Sequence, residues 1–305
     1  AETFIDEIET LLNRDLPEEE RIPLIEKFRK MYETMDFYVL YNRFLKKEGY
    51  QTLPRRPLEK RKLRYEDVYP VLYLKYRLSR QAERSNIKHL VIDEMQDYSR
   101  LQYLIIRRMF SCKMTILGDR AQTMADQQQD VLQFLPGIFG KDLRRIEMRK
   151  SYRNTVEIAS YAANLIGVTD LELFERHGMP VLERDVTDLE AALREAVDTL
   201  FSDEKTYETA AVIVPDEKTA ERAYLILREI LAEKDFDCGK RLSWLNRDSS
   251  SFKKGLTVTT FYLAKGLEFD QVFSIFPKDE KREMMMQAQY IAATRALHEL
   301  RVYHI

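Results

Sequence analysis

The spacing of apolar residues predicts that the first part of the chain is helical. In residues 7–12 and 22–31, apolar side chains recur at intervals of three and four with charges between them, which is typical of amphipathic helices. A Pro-Arg-Arg-Pro break at residues 54–57 precedes a third predicted helix over residues 65–78 (YEDVYPVLYLKYRL). Residues 1–84 are therefore predicted to form a helical region.

After this region the pattern changes to short apolar runs that alternate with helices. Residues 89–92 and 114–117 are apolar runs of the length of buried strands, and residues 101–110 between them are helical in pattern, so we predict a βαβ unit. The alternation continues with predicted strands over 143–148, 209–214, 256–261, 272–276 and 301–305, and helices over 155–165, 217–231 and 284–296. The predicted fold class is α/β, with mostly parallel sheets flanked by helices.

The composition excludes several classes of protein. No apolar run approaches the roughly 18 residues of a membrane span. The two cysteines, Cys112 and Cys238, are too few for a disulfide framework or a zinc cluster, which favours a reducing cytoplasm. The net charge of −2 excludes a broad basic field, so any nucleic-acid contact requires a local basic track. Small basic clusters at Arg55-Arg56, Arg61-Lys62 and Arg144-Arg145 could contact phosphates, although solvated helix faces explain each of them as well.

Acidic side chains follow the first predicted strand directly. Asp93 and Glu94 begin the segment Asp-Glu-Met-Gln-Asp, and the carboxyl end of a parallel strand faces the ligand crevice of an α/β sheet. One carboxylate there can bind Mg²⁺ and its neighbour can polarise an attacking water molecule. A solvated acidic turn would have the same sequence, so this segment alone leaves both interpretations open.

Four further segments occupy comparable positions beside predicted strands and helices. They are residues 117–122 (ending Gly-Asp-Arg-Ala-Gln), 148–154 (MRKSYRN), 260–270 (TFYLAKGLEFD) and 290–296 (YIAATRA). Together with residues 93–97 and in this order, they resemble motifs II to VI of the UvrD/Rep-like superfamily 1 helicases. The resemblance covers residues 87–305, and the order of five motifs makes chance a poor explanation.

The resemblance implies a RecA-like (P-loop NTPase) fold with a helical lead-in over residues 1–84. A partial first lobe would occupy residues 85–143 and a second lobe residues 144–305. ATP and Mg²⁺ are the cofactors that it implies. By position in the motifs, the implied roles are Mg²⁺ binding for Asp93, water activation for Glu94, γ-phosphate sensing for Gln122, adenine stacking for Tyr152, arginine fingers for Arg153 and Arg295, ribose contact for Glu268 and a backbone turn at the nucleotide for Gly266.

One departure from the family pattern is the lack of a phosphate-binding loop. The sequence contains no G-x-x-x-x-G-K-[ST] segment, since neither Gly140-Lys141 nor Gly239-Lys240 continues with Ser or Thr. We therefore expect the chain alone to be inactive as an ATPase. The first residues resemble the start of an excised fragment, so we expect the loop to lie upstream in a longer parent.

A second departure concerns the interval between residues 154 and 260. It already contains the strand over 209–214 and its helix, which leaves no room for the large 2B insertion of UvrD-like helicases. In addition, Tyr262 stands where the family commonly has His. Both features resemble the helicase IV/HelD-like branch, whose members act on RNA polymerase.

The expected function is a cytoplasmic ATP-dependent 3′–5′ DNA helicase, with single-stranded or partially duplex DNA as partner and no membrane. The alternatives are an RNA polymerase release factor that uses the same motor and a catalytically dead scaffold.

Overall fold

The chain forms two compact units, and each is described by itself. The computed structural model describes residues 2–31, 34, 36–78, 84, 86–122, 130–148, 150–168, 172–202, 207–234, 241–249, 254–278 and 283–305. The first unit comprises Ala1–Asp93, Tyr98–Leu117 and Val131–Asp142, and the second comprises Glu94–Asp97, Gly118–Asp130 and Leu143–Ile305.

The first unit begins with four helices: α1 (Glu2–Leu12), α2 (Glu18–Met31), α3 (Phe37–Lys47) and α4 (Tyr65–Leu78). The helices predicted over residues 7–12, 22–31 and 65–78 are confirmed. Helix α3 was not predicted; Asp36 caps it by accepting hydrogen bonds from the N–H groups of Tyr38 and Val39. Tyr38, Tyr41, Leu45 and Leu53 form a small core that Val71 and Leu74 of α4 cover.

The predicted βαβ unit is also present in the first unit. Strands β1 (His89–Ile92) and β2 (Lys113–Ile116) pair in parallel, and α5 (Arg100–Met109) connects them. Ser99 and Gln102 form a capping box at the start of α5. A further helix, α6 (Val131–Phe139), packs its Val131 and Leu135 against Ile92 and Tyr103.

The second unit contains a six-stranded sheet in which every neighbouring pair is parallel, in the order β5-β10-β9-β6-β8-β7. The strands are β5 (Leu182–Asp185), β6 (Thr209–Val214), β7 (Leu242–Trp244), β8 (Gly255–Thr260), β9 (Phe269–Phe276) and β10 (Ala296–His304). A separate two-stranded sheet pairs β3 (Lys150–Ser151) with β4 (Glu172–Leu173). The predicted α/β class with parallel strands is confirmed.

Helices cover both faces of the large sheet. They are α7 (Val156–Leu165), α8 (Leu189–Ser202), α9 (Glu217–Ala232) and α10 (Glu283–Thr294). Successive residues of β6 point to opposite faces: Val212 and Val214 join the core under α8 and α9, whereas Ala211 and Ile213 join the core with α7 and α10. This double coverage explains why β6 reads as one continuous apolar run.

The strand predicted over residues 143–148 is wrong. These residues have no regular structure, and Ile146 and Met148 are 87% and 84% exposed. Their apolar side chains are spaced by three and then by two residues, which matches neither face of a strand, and no described strand pairs with them.

Two further observations bear on the composition. Within the described ranges, no helix is both long and apolar enough to cross a bilayer. Cys112 is a free, half-buried thiol, and Cys238 lies outside the described residues, as does Arg149 of the segment 148–154.

Candidate functional site

Glu94 begins a short turn that brings two predicted motif segments together. Its backbone has φ of +52°, a left-handed conformation that is costly for a residue with a side chain and is often found at functional sites. The buried side chain of Gln96 donates through Nε2 to Glu94 Oε2 at 2.5 Å and accepts through Oε1 from the Asp119 N–H at 3.1 Å. Gln96 therefore orients the Glu94 carboxylate and ties residues 94–97 to the Gly-Asp segment.

Gly118 is required for this close approach. A Cβ atom at residue 118 would lie 2.6 Å from the backbone nitrogen of Met95 and 2.5 Å from Oε1 of Gln96. Real Cβ atoms do not approach other atoms so closely, so any larger residue would push the two segments apart. The glycine of this motif segment thus has a steric reason to be there.

Asp119 joins the Gly-Asp segment to helix α10. Its Oδ2 atom accepts hydrogen bonds from the Tyr290 hydroxyl and from Gln122 Nε2, each at 3.0 Å, and its Oδ1 accepts from the Ala121 N–H at 2.9 Å. Burial raises the pKa of Tyr290, and the charge of Asp119 raises it further, so the phenol stays protonated and donates. The carboxylate is held by three donors at once.

Arg295 is the most deeply buried charge at this end of α10, with 1% of its surface exposed. It donates to the carbonyl oxygens of Ile291 and Leu267 at 3.2 and 3.5 Å, and its Nη2 donates to Gln122 Oε1 at 3.3 Å. Burial lowers the pKa of Arg295, and the charge of Arg153 lowers it further. Among the described residues no carboxylate forms an ion pair with Arg295, so its direct hydrogen-bond partners are neutral oxygens.

Arg153 is held differently from Arg295. Its Nε atom forms an ion pair with Glu268 Oε1 at 2.6 Å, and both side chains are about half exposed. The charges of Glu94 and Glu268 also act on Arg295, where each opposes the lowering of its pKa. Two carboxylates and two guanidinium groups of the predicted motifs thus lie within electrostatic range of one another.

An aromatic pair lies next to Arg153 in sequence. Tyr152 is 60% exposed, and its ring centroid lies 5.6 Å from that of Phe174. The ammonium group of Lys150 lies over both rings, 5.6 and 5.8 Å from their centroids. The Tyr152 ring is thus accessible on one side and supported by Phe174 on another.

The remaining predicted segment, residues 260–270, is fixed by a turn and an ion pair. Gly266 has φ of +75°, which favours glycine, although nothing crowds its missing Cβ. Lys265, which is mostly buried, forms an ion pair with Asp97 at 2.5 Å.

A hydrogen-bonded side chain also fixes the segment before α7. Asn154 donates to the carbonyl oxygens of Thr294 and Ala296 at 3.2 and 2.6 Å, so it links the start of α7 to the junction of α10 and β10.

The second unit therefore gathers most of the predicted site residues. Glu94, Gln122, Arg153, Glu268 and Arg295 are connected by the hydrogen bonds, the ion pair and the charge interactions described above. Asp93 follows β1 directly and belongs to the first unit. The roles assigned to these residues and to Tyr152 and Gly266 remain predictions.

Sequence analysis assigned no role to four side chains that form hydrogen bonds or ion pairs in this site: Gln96, Asp119, Lys265 and Tyr290. Each lies inside one of the motif segments, and that position is the signal that could have identified them. Two of their contacts, Lys265 with Asp97 and Tyr290 with Asp119, join residues more than 160 positions apart, so these pairings could not be read from local pattern.

Residues 2–124 match the UvrD/REP helicase N-terminal domain family model. This match includes Asp93, Glu94, Gly118, Asp119 and Gln122, which are the residues of the first two motif segments. It ends before the segments that contribute Arg153, Glu268 and Arg295. No curated protein matches the chain.

Three solved structures match parts of the chain. The C-terminal domain of a possible DNA helicase from Lactobacillus plantarum is 24% identical with a TM-score of 0.40, over 51% of this chain and 88% of that one. PRRSV helicase is 17% identical with a TM-score of 0.40, over 73% of this chain and 36% of that one. Arterivirus nonstructural protein 10 (helicase), in a complex with DNA, is 15% identical with a TM-score of 0.40, over 73% and 41%. This chain thus spans less than half the length of the two viral helicases. At these values the matches support no conclusion about the fold or the function of this chain.

Proposed function

We propose that the chain is part of an ATP-dependent superfamily 1 motor of the UvrD/Rep type, which couples ATP hydrolysis to 3′–5′ movement on DNA in the cytoplasm. The family match over residues 2–124 supports the motor class. The observation that carries the proposal is the hydrogen bond between Arg295 and Gln122, because it joins two residues to which the motif resemblance gives contacts with the same γ-phosphate.

The residues present fit a nucleotide phosphate in their chemistry. Arg295 is a buried cation whose described contacts are all neutral oxygens. An anion that bound beside it would therefore stabilise its charge strongly. Arg153 has a carboxylate partner that a phosphate could replace, since the pair is half exposed. The sequence has no phosphate loop, so these residues account for only one part of a nucleotide site.

Each side chain then has a task that its surroundings support. Glu94, oriented by Gln96, would position the attacking water and accept its proton. Arg153 and Arg295 would stabilise developing negative charge, and Gln122 would transmit the state of the phosphate to Asp119 and α10. Tyr152 would stack on adenine, Glu268 would contact the ribose beside the turn at Gly266, and Asp93 would bind Mg²⁺. When bound, ATP supplies the free energy of phosphoanhydride hydrolysis that drives movement.

The experiment compares ATP hydrolysis by this 305-residue chain with that by the longest form of the protein that carries a phosphate loop. We expect DNA-stimulated hydrolysis from the longer form and none from this chain. Glu94→Gln, which keeps the size of the side chain but removes its basicity, should abolish hydrolysis in the longer form. Hydrolysis by the 305-residue chain would disprove the expected dependence on the loop. An inactive longer form would favour the scaffold alternative.

A second candidate function uses the same motor on a different partner. The short interval between residues 154 and 260 and the presence of Tyr262 favour the HelD-like branch, in which ATP would power release of RNA polymerase from nucleic acid. Strand displacement on a partial duplex, measured beside a pull-down with RNA polymerase, separates the two. Strand displacement without polymerase binding supports the helicase, and the reverse supports the release factor.

A further inference from the structure

A strongly basic loop connects α3 to α4 in the first unit. Residues 54–64 (PRRPLEKRKLR), here called the basic loop, contain six Arg and Lys residues and a single acid, Glu59. The whole chain has 49 Lys and Arg residues against 51 Asp and Glu, so the excess of positive charge in this loop departs from the near balance of the chain. Such local concentration requires a physical reason, because like charges repel one another.

The loop is fixed firmly at its first end. The side-chain amide of Asn42 donates to the Leu53 carbonyl at 3.2 Å and accepts from the Leu53 N–H at 2.6 Å. The Tyr38 hydroxyl donates to the Pro54 carbonyl at 2.8 Å. Leu53 itself is buried in the core of α3. Polar side chains on α3 thus hold the backbone where the basic run begins.

Two of the six basic side chains form ion pairs with acids of the same unit and fix the second end. Arg61 forms an ion pair with Asp36 at 2.8 Å and donates to the Arg56 carbonyl at 3.0 Å. Arg64 pairs at 2.7 Å with the buried carboxylate of Asp67, which also accepts the Tyr41 hydroxyl at 2.8 Å. These contacts set the conformation of the loop before any partner arrives.

The other four basic side chains point to solvent. Arg55, Arg56, Lys60 and Lys62 are exposed, and none of them has an ion pair or a side-chain hydrogen bond with another residue in the described part of the chain. Because the loop backbone is already ordered, binding an anion through these side chains costs little conformational entropy. The arrangement is that of a preformed cationic surface.

We propose that the basic loop binds the phosphodiester backbone of a nucleic acid, independently of base sequence. Four outward cations can each neutralise one phosphate, and the Arg side chains can do so through two parallel N–H groups. Large aromatic side chains flank the loop: Tyr50 and Tyr65 are mostly exposed and offer ring faces to unpaired bases. This combination of cations and accessible rings favours a polynucleotide over an acidic protein surface.

The inference rests on the proposed function only in that such a motor needs a polynucleotide track. It is tested without nucleotide, so failure of ATP hydrolysis and failure of this contact are separate results. Four phosphate contacts give a slope of log K against log salt of about −3.6 for duplex DNA and about −2.8 for a single strand. The slope therefore reports how many of the four side chains take part.

The experiment measures fluorescence anisotropy of labelled single-stranded and duplex oligonucleotides with the 305-residue chain over a series of salt concentrations. The neutralised variant carries Arg55→Ala, Arg56→Ala, Lys60→Ala and Lys62→Ala. We expect it to bind about 100-fold more weakly at 0.1 M salt and to have a slope flatter by about 3. The oligonucleotide that loses more affinity identifies the strand state that the loop contacts.

A matched variant controls for the loss of four charges. It carries Lys46→Ala, Lys47→Ala, Lys88→Ala and Lys141→Ala, all exposed side chains of the same unit, and should bind like the unaltered chain. A charge-retaining variant that carries Arg55→Lys, Arg56→Lys, Lys60→Arg and Lys62→Arg should keep the slope. The proposal is overturned if the neutralised variant binds normally or if the matched variant loses as much affinity. It is also overturned if polyglutamate of equal charge displaces the oligonucleotide as well as unlabelled DNA does.

Discussion

Arg295 Nη2 lies 3.3 Å from Gln122 Oε1, and this hydrogen bond joins the end of helix α10 to the turn that follows β2 in the chain. Gln122 in turn donates to Asp119, which accepts from Tyr290 on the same helix. The two ends of α10 are thus not equivalent: its last turns contact the Gly-Asp segment twice. An anion that drew the Arg295 guanidinium toward itself would disturb the hydrogen bond with Gln122 and, through Gln122, the contact with Asp119.

Replacing Arg295 by Met should separate function from stability. The arginine is a buried cation whose described partners are neutral oxygens, and an apolar side chain of similar volume removes its desolvation cost. We expect the free energy of unfolding, measured with urea, to stay unchanged or to rise by about 1 kcal/mol. In the form that carries a phosphate loop, ATP hydrolysis should fall by about 10³-fold or more.

Arg295→Ala is the control for packing, because it removes the same charge and also leaves a cavity. This variant should be less stable than Arg295→Met by about 2 kcal/mol. A loss of stability in the Met variant as large as that in the Ala variant would show that the charge itself stabilises the fold.

Gly118→Ala should destabilise the second unit. The added methyl group would overlap the backbone nitrogen of Met95 and Oε1 of Gln96. We expect a loss of about 1–3 kcal/mol in the free energy of unfolding, with the hydrogen bond from Asp119 to Gln96 lengthened or broken. Urea denaturation measures the first effect and amide hydrogen exchange at Asp119 the second.

Gly137 supplies the matched control. It lies inside α6, and an added Cβ would meet nothing within 4 Å. Gly137→Ala should therefore raise the free energy of unfolding by about 0.5–1 kcal/mol, because alanine favours the helix. Equal effects of the two substitutions would contradict the steric role of Gly118.

The ion pair between Lys265 and Asp97 should contribute more than an exposed pair of the same length. Its nitrogen and oxygen lie 2.5 Å apart, and the Lys265 side chain is 13% exposed. The pair of Lys254 and Glu208 has the same separation, but its Lys side chain is 76% exposed. A double-mutant cycle with Lys265→Met and Asp97→Asn should give a coupling energy of about 1 kcal/mol, and the corresponding cycle at Lys254 and Glu208 should give a clearly smaller one. At high salt the coupling of the exposed pair should fall first, because screening acts mainly on solvent-exposed charges, so the difference between the two pairs should widen.

Elements with a strong apolar period were the ones that could be predicted from the sequence. The predicted limits of β1, α4 and β6 agree with the structure to the residue. For β6 the reason is plain, because the side chains from Ala210 to Val214 are all buried and give an unbroken apolar run. Helix α8 and the edge strands β5 and β7 were missed. The β5 strand, Leu-Glu-Arg-Asp, is exposed along its whole length, so burial left no pattern in its sequence.

For the candidate site, the sequence indicated which residues to consider but not how they are connected, and their roles stay predictions. The five motif segments identified Glu94, Gln122, Arg153, Glu268 and Arg295, and the structure places these residues in one unit. The hydrogen bonds that join them connect residues up to 173 positions apart in the chain, and such pairings cannot be predicted from the local sequence. The ion pair between Arg153 and Glu268 likewise joins the segment before α7 to the segment before β9, more than a hundred residues along the chain, and could not be foreseen.

The carboxylate of Glu157 in α7 should make stability depend on pH in the acid range. Burial alone would raise its pKa, but a hydrogen bond with His177 Nδ1 at 2.9 Å and another from the Gly178 N–H at 2.9 Å favour the charged form, and the pKa falls from 4.5 to about 2. A lowered folded-state pKa means that the folded protein gains stability from this group above pH 4.5 and loses it as the pH falls toward 2.

Glu157→Gln should therefore weaken the acid dependence of unfolding. Between pH 5 and 3, we expect the free energy of unfolding of the unaltered chain to fall more than that of the variant, by about 1 kcal/mol, because solvent screens a carboxylate that is only partly covered. Urea denaturation at each pH measures the difference. Glu190→Gln, which removes an exposed carboxylate paired with Arg194 on one helix, is the control and should leave the acid dependence nearly as it was. Parallel curves for the unaltered chain and Glu157→Gln would mean that the contacts with His177 and Gly178 do not persist in solution, and the segment that follows β4 would then lack its tie to α7.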